Sequence, residues 1–168
     1  NPTAKNAFIK AAEIAKNAGR KVALSLSDSF CVSRHRESFI ELVENYIDIL
    51  FANEDEITSL YKTSNLNLAI EQLKEKCELA AITLGKHGSI LISNSKAIPI
   101  APFIQGEVVD TTGAGDLFAG GFLKGLSYGL SPVISAKMGS ICAGQIVTQL
   151  GSRSNIDLLK LINSHLEI

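Results

Sequence analysis

The sequence predicts an α/β protein, with a mostly parallel sheet covered by helices on both faces. Three observations predict it. Short apolar runs that read as strands alternate with segments of helical period. Each run ends in a polar or glycine-containing turn. Further on, the β-branched pair Val108-Val109 leads into Gly113-Ala114-Gly115, a turn that opens a helix.

The elements follow in order. Thr3 is expected to cap a helix from Ala4 to about Ala18. Phe8, Ile9, Ala12 and Ala15 recur there at helical spacing, and Gly19 ends it. Lys21–Leu26 reads as a short buried strand, with Ser27–Phe30 as the turn at its C-terminal end. In open α/β sheets ligands bind at that end. A second helix is expected over Arg36–Glu44, with Phe39, Ile40 and Val43 inward, and Tyr46–Phe51 reads as the next strand. Ala52–Glu56 opens a helix to about Tyr61, and another covers Leu68–Lys76. Leu79–Leu84 reads as a strand, followed by Gly85-Lys86-His87-Gly88. Ser89–Ser93 and Ala97–Ile100 suit a hairpin about Asn94-Ser95. The helix opened at 113–115 continues to about Tyr128 and stops at Gly129. Ser131 then caps a helix with Pro132 at its first position, running to about Gln149. Gly151–Ser154 reads as a loop, and a terminal helix begins at Asn155.

Composition bounds the function. With 168 residues the chain can bury a substantial core, and 46% hydrophobic with 20% charged residues is globular usage. A formal charge of −1 gives no electrostatic case for nucleic acid or an anionic membrane. No apolar run approaches the ~20 residues of a membrane span. No signal-peptide pattern opens the chain. Cys31, Cys77 and Cys142 are odd in number and lack metal spacing, which reads as reduced, buried thiols in a cytoplasmic protein. His35, His87 and His165 read as surface residues.

The chemistry concentrates in Asp110-Thr111-Thr112-Gly113-Ala114-Gly115-Asp116. The first turn of a helix holds backbone N–H groups without intrahelical partners, and the helix dipole adds positive charge. Gly113 and Gly115 let an anion approach that backbone. Asp116 falls inside the first turn. It either caps the helix or, beside a bound anion, takes a proton from a hydroxyl that attacks a phosphoryl group. Asn53 and Glu56 stand three apart at another helix start, either as a capping box or as holders of a metal's water shell. Thr83-Leu84-Gly85-Lys86-His87-Gly88 is a glycine turn after a strand.

Taken together, Asp-Thr-Thr-Gly-Ala-Gly-Asp, Asn53-x-x-Glu56 and Thr83-x-Gly85-x-x-Gly88 resemble the signatures of the ribokinase-like (PfkB) family of carbohydrate and nucleoside kinases. The resemblance implies a ribokinase-like fold and matches only the C-terminal half of such enzymes. The expectation is therefore the C-terminal part of one kinase domain, without the N-terminal half and its β lid. It implies Asp116 as catalytic base and the amides of Gly113, Ala114 and Gly115 as an anion hole. It also implies a nucleotide site using Asn53, Glu56, Thr83, Gly85 and Gly88, with Mg2+ held through water at Glu56. A monovalent cation, K+, near Asp110 and Thr112 and the loop around Gln149-Leu150-Gly151 is weighed against a plain turn in which Asp110 bonds backbone amides.

Val22–Phe30 and Tyr46–Glu56 look closer to the adenosine kinases of the family than to its sugar kinases. The implied reaction is transfer of phosphate from ATP to adenosine, giving AMP. A ribokinase- or fructokinase-type sugar kinase and a catalytically silent nucleotide-binding module are the alternatives. As a half domain, the chain is expected to associate with itself or with a separate N-terminal half, and to be inactive alone.

Overall fold

The computed structural model describes residues 2–166. Among them the elements run α1 (Pro2–Asn17), β1 (Ala23–Ser25), α2 (Ser29–Arg34), α3 (Arg36–Asn45), β2 (Ile49–Asn53), α4 (Glu54–Leu60), α5 (Leu66–Lys74) and β3 (Leu79–Thr83). A 3-10 turn (Gly85–His87) follows, then β4 (Ser89–Ser93), β5 (Lys96–Ile100), α6 (Ala114–Ser127), α7 (Pro132–Ile146) and α8 (Leu158–His165). The strands form one sheet in the order β1-β2-β3-β4-β5. No helix among the described residues is long and apolar enough to cross a membrane. The chain divides into two compact units. One runs to Ile82 and takes in Ile92–Ile98, and the other comprises Thr83–Leu91 and the chain from Pro99 onward.

In the first unit β1 pairs β2 in parallel, Ala23 opposite Ile49 and Ser25 opposite Phe51. The sequence suggests a buried strand over Lys21–Leu26. The structure has three residues, with Ala23 and Ser25 exposed, because β1 lies at the sheet edge with one neighbour. β2 lies between β1 and β3, and its first four residues are buried before the chain emerges at Asn53. A strand buried on both faces reads as a continuous apolar run, as Ile49–Ala52 does. The expected turn over Ser27–Phe30 is a turn at Ser27 (φ 64°) followed at once by α2. Asp28 caps α2, accepting the Cys31 N–H at 2.6 Å. Thr3 lies inside α1 and does not cap it. Ala12 of α1 is buried, whereas Phe8 is exposed. Cys31 is exposed, against the expected burial of all three thiols, and Cys77 and Cys142 are buried.

β4 and β5 are joined at Asn94 and Ser95, with φ of 50° and 59°. Two positive-φ residues match the right-handed twist of a tight hairpin. The second unit is built on α6 and α7. Met138, Ile141 and Cys142 of α7 form a core with Ile162 of α8. The crossing is lined by glycines. A Cβ at Gly121 would lie 2.8 Å from Met138 O and 2.9 Å from Cys142 Sγ, and one at Gly139 would lie 2.7 Å from Phe118 O. α7 ends at Ile146, short of the expected Gln149, because Val147 O accepts the N–H groups of Val109 and Asp110 at 2.7 and 3.3 Å. α8 starts at Leu158 rather than Asn155, capped by Asp157.

The crossing yields a paired expectation. Gly120 has nothing within 4 Å of an added Cβ, so Gly120→Ala should stabilise by up to about 1 kcal/mol through helix propensity. Gly121→Ala makes the same propensity gain but overpacks the crossing, which costs about 1–3 kcal/mol. Urea unfolding of the two variants should move the midpoint up for the first and down for the second.

Candidate active site

α6 starts without a side-chain cap. Its cap residue is Gly113, in the left-handed region at φ 79°. A residue with a Cβ is strained there. Space excludes one as well, because a Cβ at Gly113 would lie 2.6 Å from Cβ of Ser152. The N–H of Ala114 donates to Thr111 O at 3.2 Å, while those of Gly113, Gly115 and Asp116 have no acceptor among the described residues. Asp116 is exposed at the third position of the first turn. Its carboxylate has no hydrogen-bond partner among the described residues.

α4 begins differently, on an extended cap residue, Asn53, with a side chain that caps. Glu56, at the same third position, closes a capping box. Its Oε2 accepts the Asn53 N–H at 3.0 Å, and its own N–H donates to Asn53 Oδ1 at 2.8 Å. Asn53 Nδ2 adds a bond to Glu56 Oε1 at 2.8 Å. Gly113 has no side chain to supply the reciprocal half of such a box. The Asp116 N–H is therefore left without the side-chain acceptor that Asn53 gives Glu56.

The loop before α6 is tied down by Asp110. Its Oδ1 accepts the Thr112 N–H at 2.9 Å and its Oδ2 accepts the Gly151 N–H at 2.9 Å. Hydrogen bonding from the Thr112 side chain, then from the Gly151 and Thr112 N–H groups, holds its carboxyl below the usual range. Asp110 makes the backbone amide bonds expected of the turn alternative, with the Thr112 and Gly151 N–H groups. Thr112, Gly113, Ala114, Gly115 and Asp116 are all brought together here with Gly151 and Ser152 of the later loop.

The Thr83 turn belongs to the same unit. Gly85 and Gly88 both have positive φ, 56° and 89°. The turn is closed by the Leu84 N–H donating to Gly88 O at 2.8 Å. A Cβ at Gly85 would meet open space, whereas at Gly88 it would run into Ile100 O and lie 2.8 Å from Pro102 N. The backbone at Gly85 thus faces open space, and that at Gly88 admits the protein's own chain.

Asn53 and Glu56 lie in the first unit. Glu56 is 6% exposed. Burial pushes its carboxyl up, with Asp28 and Asp55 adding to the rise and the Asn53 N–H opposing it. Its contribution to stability is therefore full below its ordinary value of 4.5 and is lost as pH rises through the raised value. Glu54 and Asp55 are exposed.

The description pfkB family carbohydrate kinase matches residues 2–158. The chain belongs to the pfkB family. Solved structures similar to it include an adenosine kinase from Sinorhizobium meliloti, 41% identical with a TM-score of 0.93, covering 97% of this chain and 50% of that one. A probable sugar kinase from Rhizobium etli is 38% identical with a TM-score of 0.93, covering 96% and 49%. Among curated relatives, a ribokinase of Lactococcus lactis is 29% identical over 133 residues, covering 79% of this chain and 42% of the relative. The chain thus spans about half the length of these relatives.

For a pfkB-family chain the donor set fits magnesium better than a tighter-bound metal. No group of three or more His, Cys, Asp or Glu among the described residues could cage an ion. Magnesium keeps several waters and needs few protein ligands; Glu56 offers a buried carboxylate whose two oxygens already accept from Asn53. The residues that sequence reasoning missed are Ser152, which faces Gly113, and the Gln145–Ser154 network behind it. Their only signal in the sequence is a loop of small residues after a long helix.

Proposed function

We propose that the full-length protein transfers the terminal phosphoryl group of Mg·ATP to a hydroxyl group of a nucleoside, with adenosine as the first acceptor. The observation that carries this reading is the start of α6, where amides without acceptors stand beside a carboxylate without a partner. As the acceptor oxygen bonds to the γ-phosphorus, the bond from that phosphorus to the bridging oxygen breaks and ADP leaves. Asp116 takes the hydroxyl proton. The N–H groups of Gly113 and Gly115, at the positive end of α6, meet the charge of the transferring group, while that of Ala114 is taken by Thr111 O. Magnesium, when bound, neutralises charge on the phosphate oxygens. Asn53 and Glu56 would hold its water shell, and Thr83, Gly85 and Gly88 would form the nucleotide edge.

The nucleoside acceptor is supported by Val22–Phe30 and Tyr46–Glu56, and by the relative named adenosine kinase. A sugar acceptor is the second reading, favoured by the relatives named probable sugar kinase and ribokinase. A panel of adenosine, other nucleosides, ribose and fructose with Mg·ATP, read as ADP formed, separates them. Turnover with sugars alone discards the nucleoside reading, and turnover with none discards both.

Glu56→Gln is expected to raise the magnesium concentration for half-maximal rate, whereas Glu54→Gln leaves it unchanged. Glu56 shares a helix face with Asn53, and Glu54 does not. Magnesium titrations of both variants check this, and equal shifts would leave Glu56 as a cap alone.

A further inference from the structure

One buried amide organises the loop that presses on the start of α6. Gln145, in the last turn of α7, is 4% exposed. Backbone groups fix how the amides around it are turned. Gln149 Nε2 lies 2.5 Å from Arg153 O and donates to it, and Gln149 Oε1 accepts the Asn155 N–H at 3.1 Å. Gln145 Nε2, 3.2 Å from that same oxygen, must therefore donate. This leaves Gln145 Oε1 facing the Ser154 hydroxyl at 3.0 Å; that single proton is shared between Gln145 Oε1 and Ile156 O at 2.9 Å, while Ser154 Oγ accepts the Ile156 N–H at 3.2 Å. The three residues between Gln149 and Arg153 are thus held at both ends. Two of them touch the site: the Gly151 N–H bonds Asp110, and Ser152 fills the space beside Gly113. A buried amide is costly unless fully bonded. A residue serving only to fill this place need not be polar.

We propose that Gln145 is a positioning residue for phosphoryl transfer. Through Gln149 and Ser154 it holds Gly151 and Ser152 against Asp110 and Gly113, and so sets the free N–H groups at the start of α6. The inference rests on the kinase reading above. A misplacement of about 1 Å at a transferring group can cost about 10²-fold in rate, so a loosened loop should be read in kcat.

The test uses the full-length protein with Mg·ATP and the acceptor that the wild type phosphorylates best. Gln145→Leu should lower kcat by roughly 10- to 100-fold with KM for the acceptor nearly unchanged. Gln145→Glu still accepts from Ser154 but offers Gln149 a proton only when its carboxyl is protonated. Its kcat relative to wild type should rise as pH falls. Ser154→Ala is the milder variant should Gln145→Leu fail to fold, with a smaller drop in kcat expected. Variants with wild-type kcat, a loss confined to KM, or a flat pH ratio for Gln145→Glu would overturn the proposal. A wild type that phosphorylates nothing overturns the kinase reading and this proposal with it, and that failure appears in the unmutated protein.

Discussion

Asp116→Asn in the full-length protein is expected to lower kcat by at least ~10²-fold with little change in stability. General-base terms are worth about 10²–10⁴ in rate, and asparagine keeps the shape while removing the base. The carboxylate is exposed and bonds nothing among the described residues. Its folding role is confined to its charge at the helix start, worth roughly 0.3–1 kcal/mol. Steady-state kinetics and urea unfolding on the same preparation separate the two effects. Turnover close to wild type would remove Asp116 from proton transfer.

Gly113→Val is expected to cost roughly 10²–10³ in rate, the scale of losing a donor to a developing oxyanion. Two causes act together. Valine is strained at a φ of 79°, and its Cβ would displace Ser152. The turn must then shift, and its N–H groups shift with it. Nucleotide affinity should suffer less, because the base is expected to be handled by the Thr83 turn. Measuring kcat alongside the dissociation constant of ADP checks this. A variant with normal kcat would show that these amides do not receive the phosphoryl group.

Local signals made most of this readable. The Asn94-Ser95 hairpin, the Ser131-Pro132 helix start and the glycine stop at Gly129 each depend on a few neighbouring residues, and each lies where the sequence puts it. α2 escaped because six residues are too few to show a helical period, and its cap looked like a turn. The site divides the same way. Asp110, Gly113 and Asp116 stand in one short motif. The bond from Gly151 to Asp110 joins residues 41 apart, and the amide relay from Gln145 to Ser154 depends on where a helix stops. Neither partner is named by composition or spacing, which mark only a loop of small residues after a long helix. The even choice at Asn53 and Glu56 also needed the fold, since a capping box is present and its carboxylate is buried as well.

The uneven burial of the three thiols makes the protein its own reporter of opening. Burial raises the Cys142 thiol to about 11 and pushes Cys77 up as well, while Cys31 is exposed. Only the thiolate reacts with alkylating reagents. At neutral pH a maleimide or iodoacetamide should therefore mark Cys31 promptly and the other two only through transient openings. Cys142 Sγ lies where the bare face of Gly121 lets α6 and α7 approach. Its labelling rate would time the parting of those two helices, and Cys77 would time the loosening of the first unit, in a single mass-spectrometric trace.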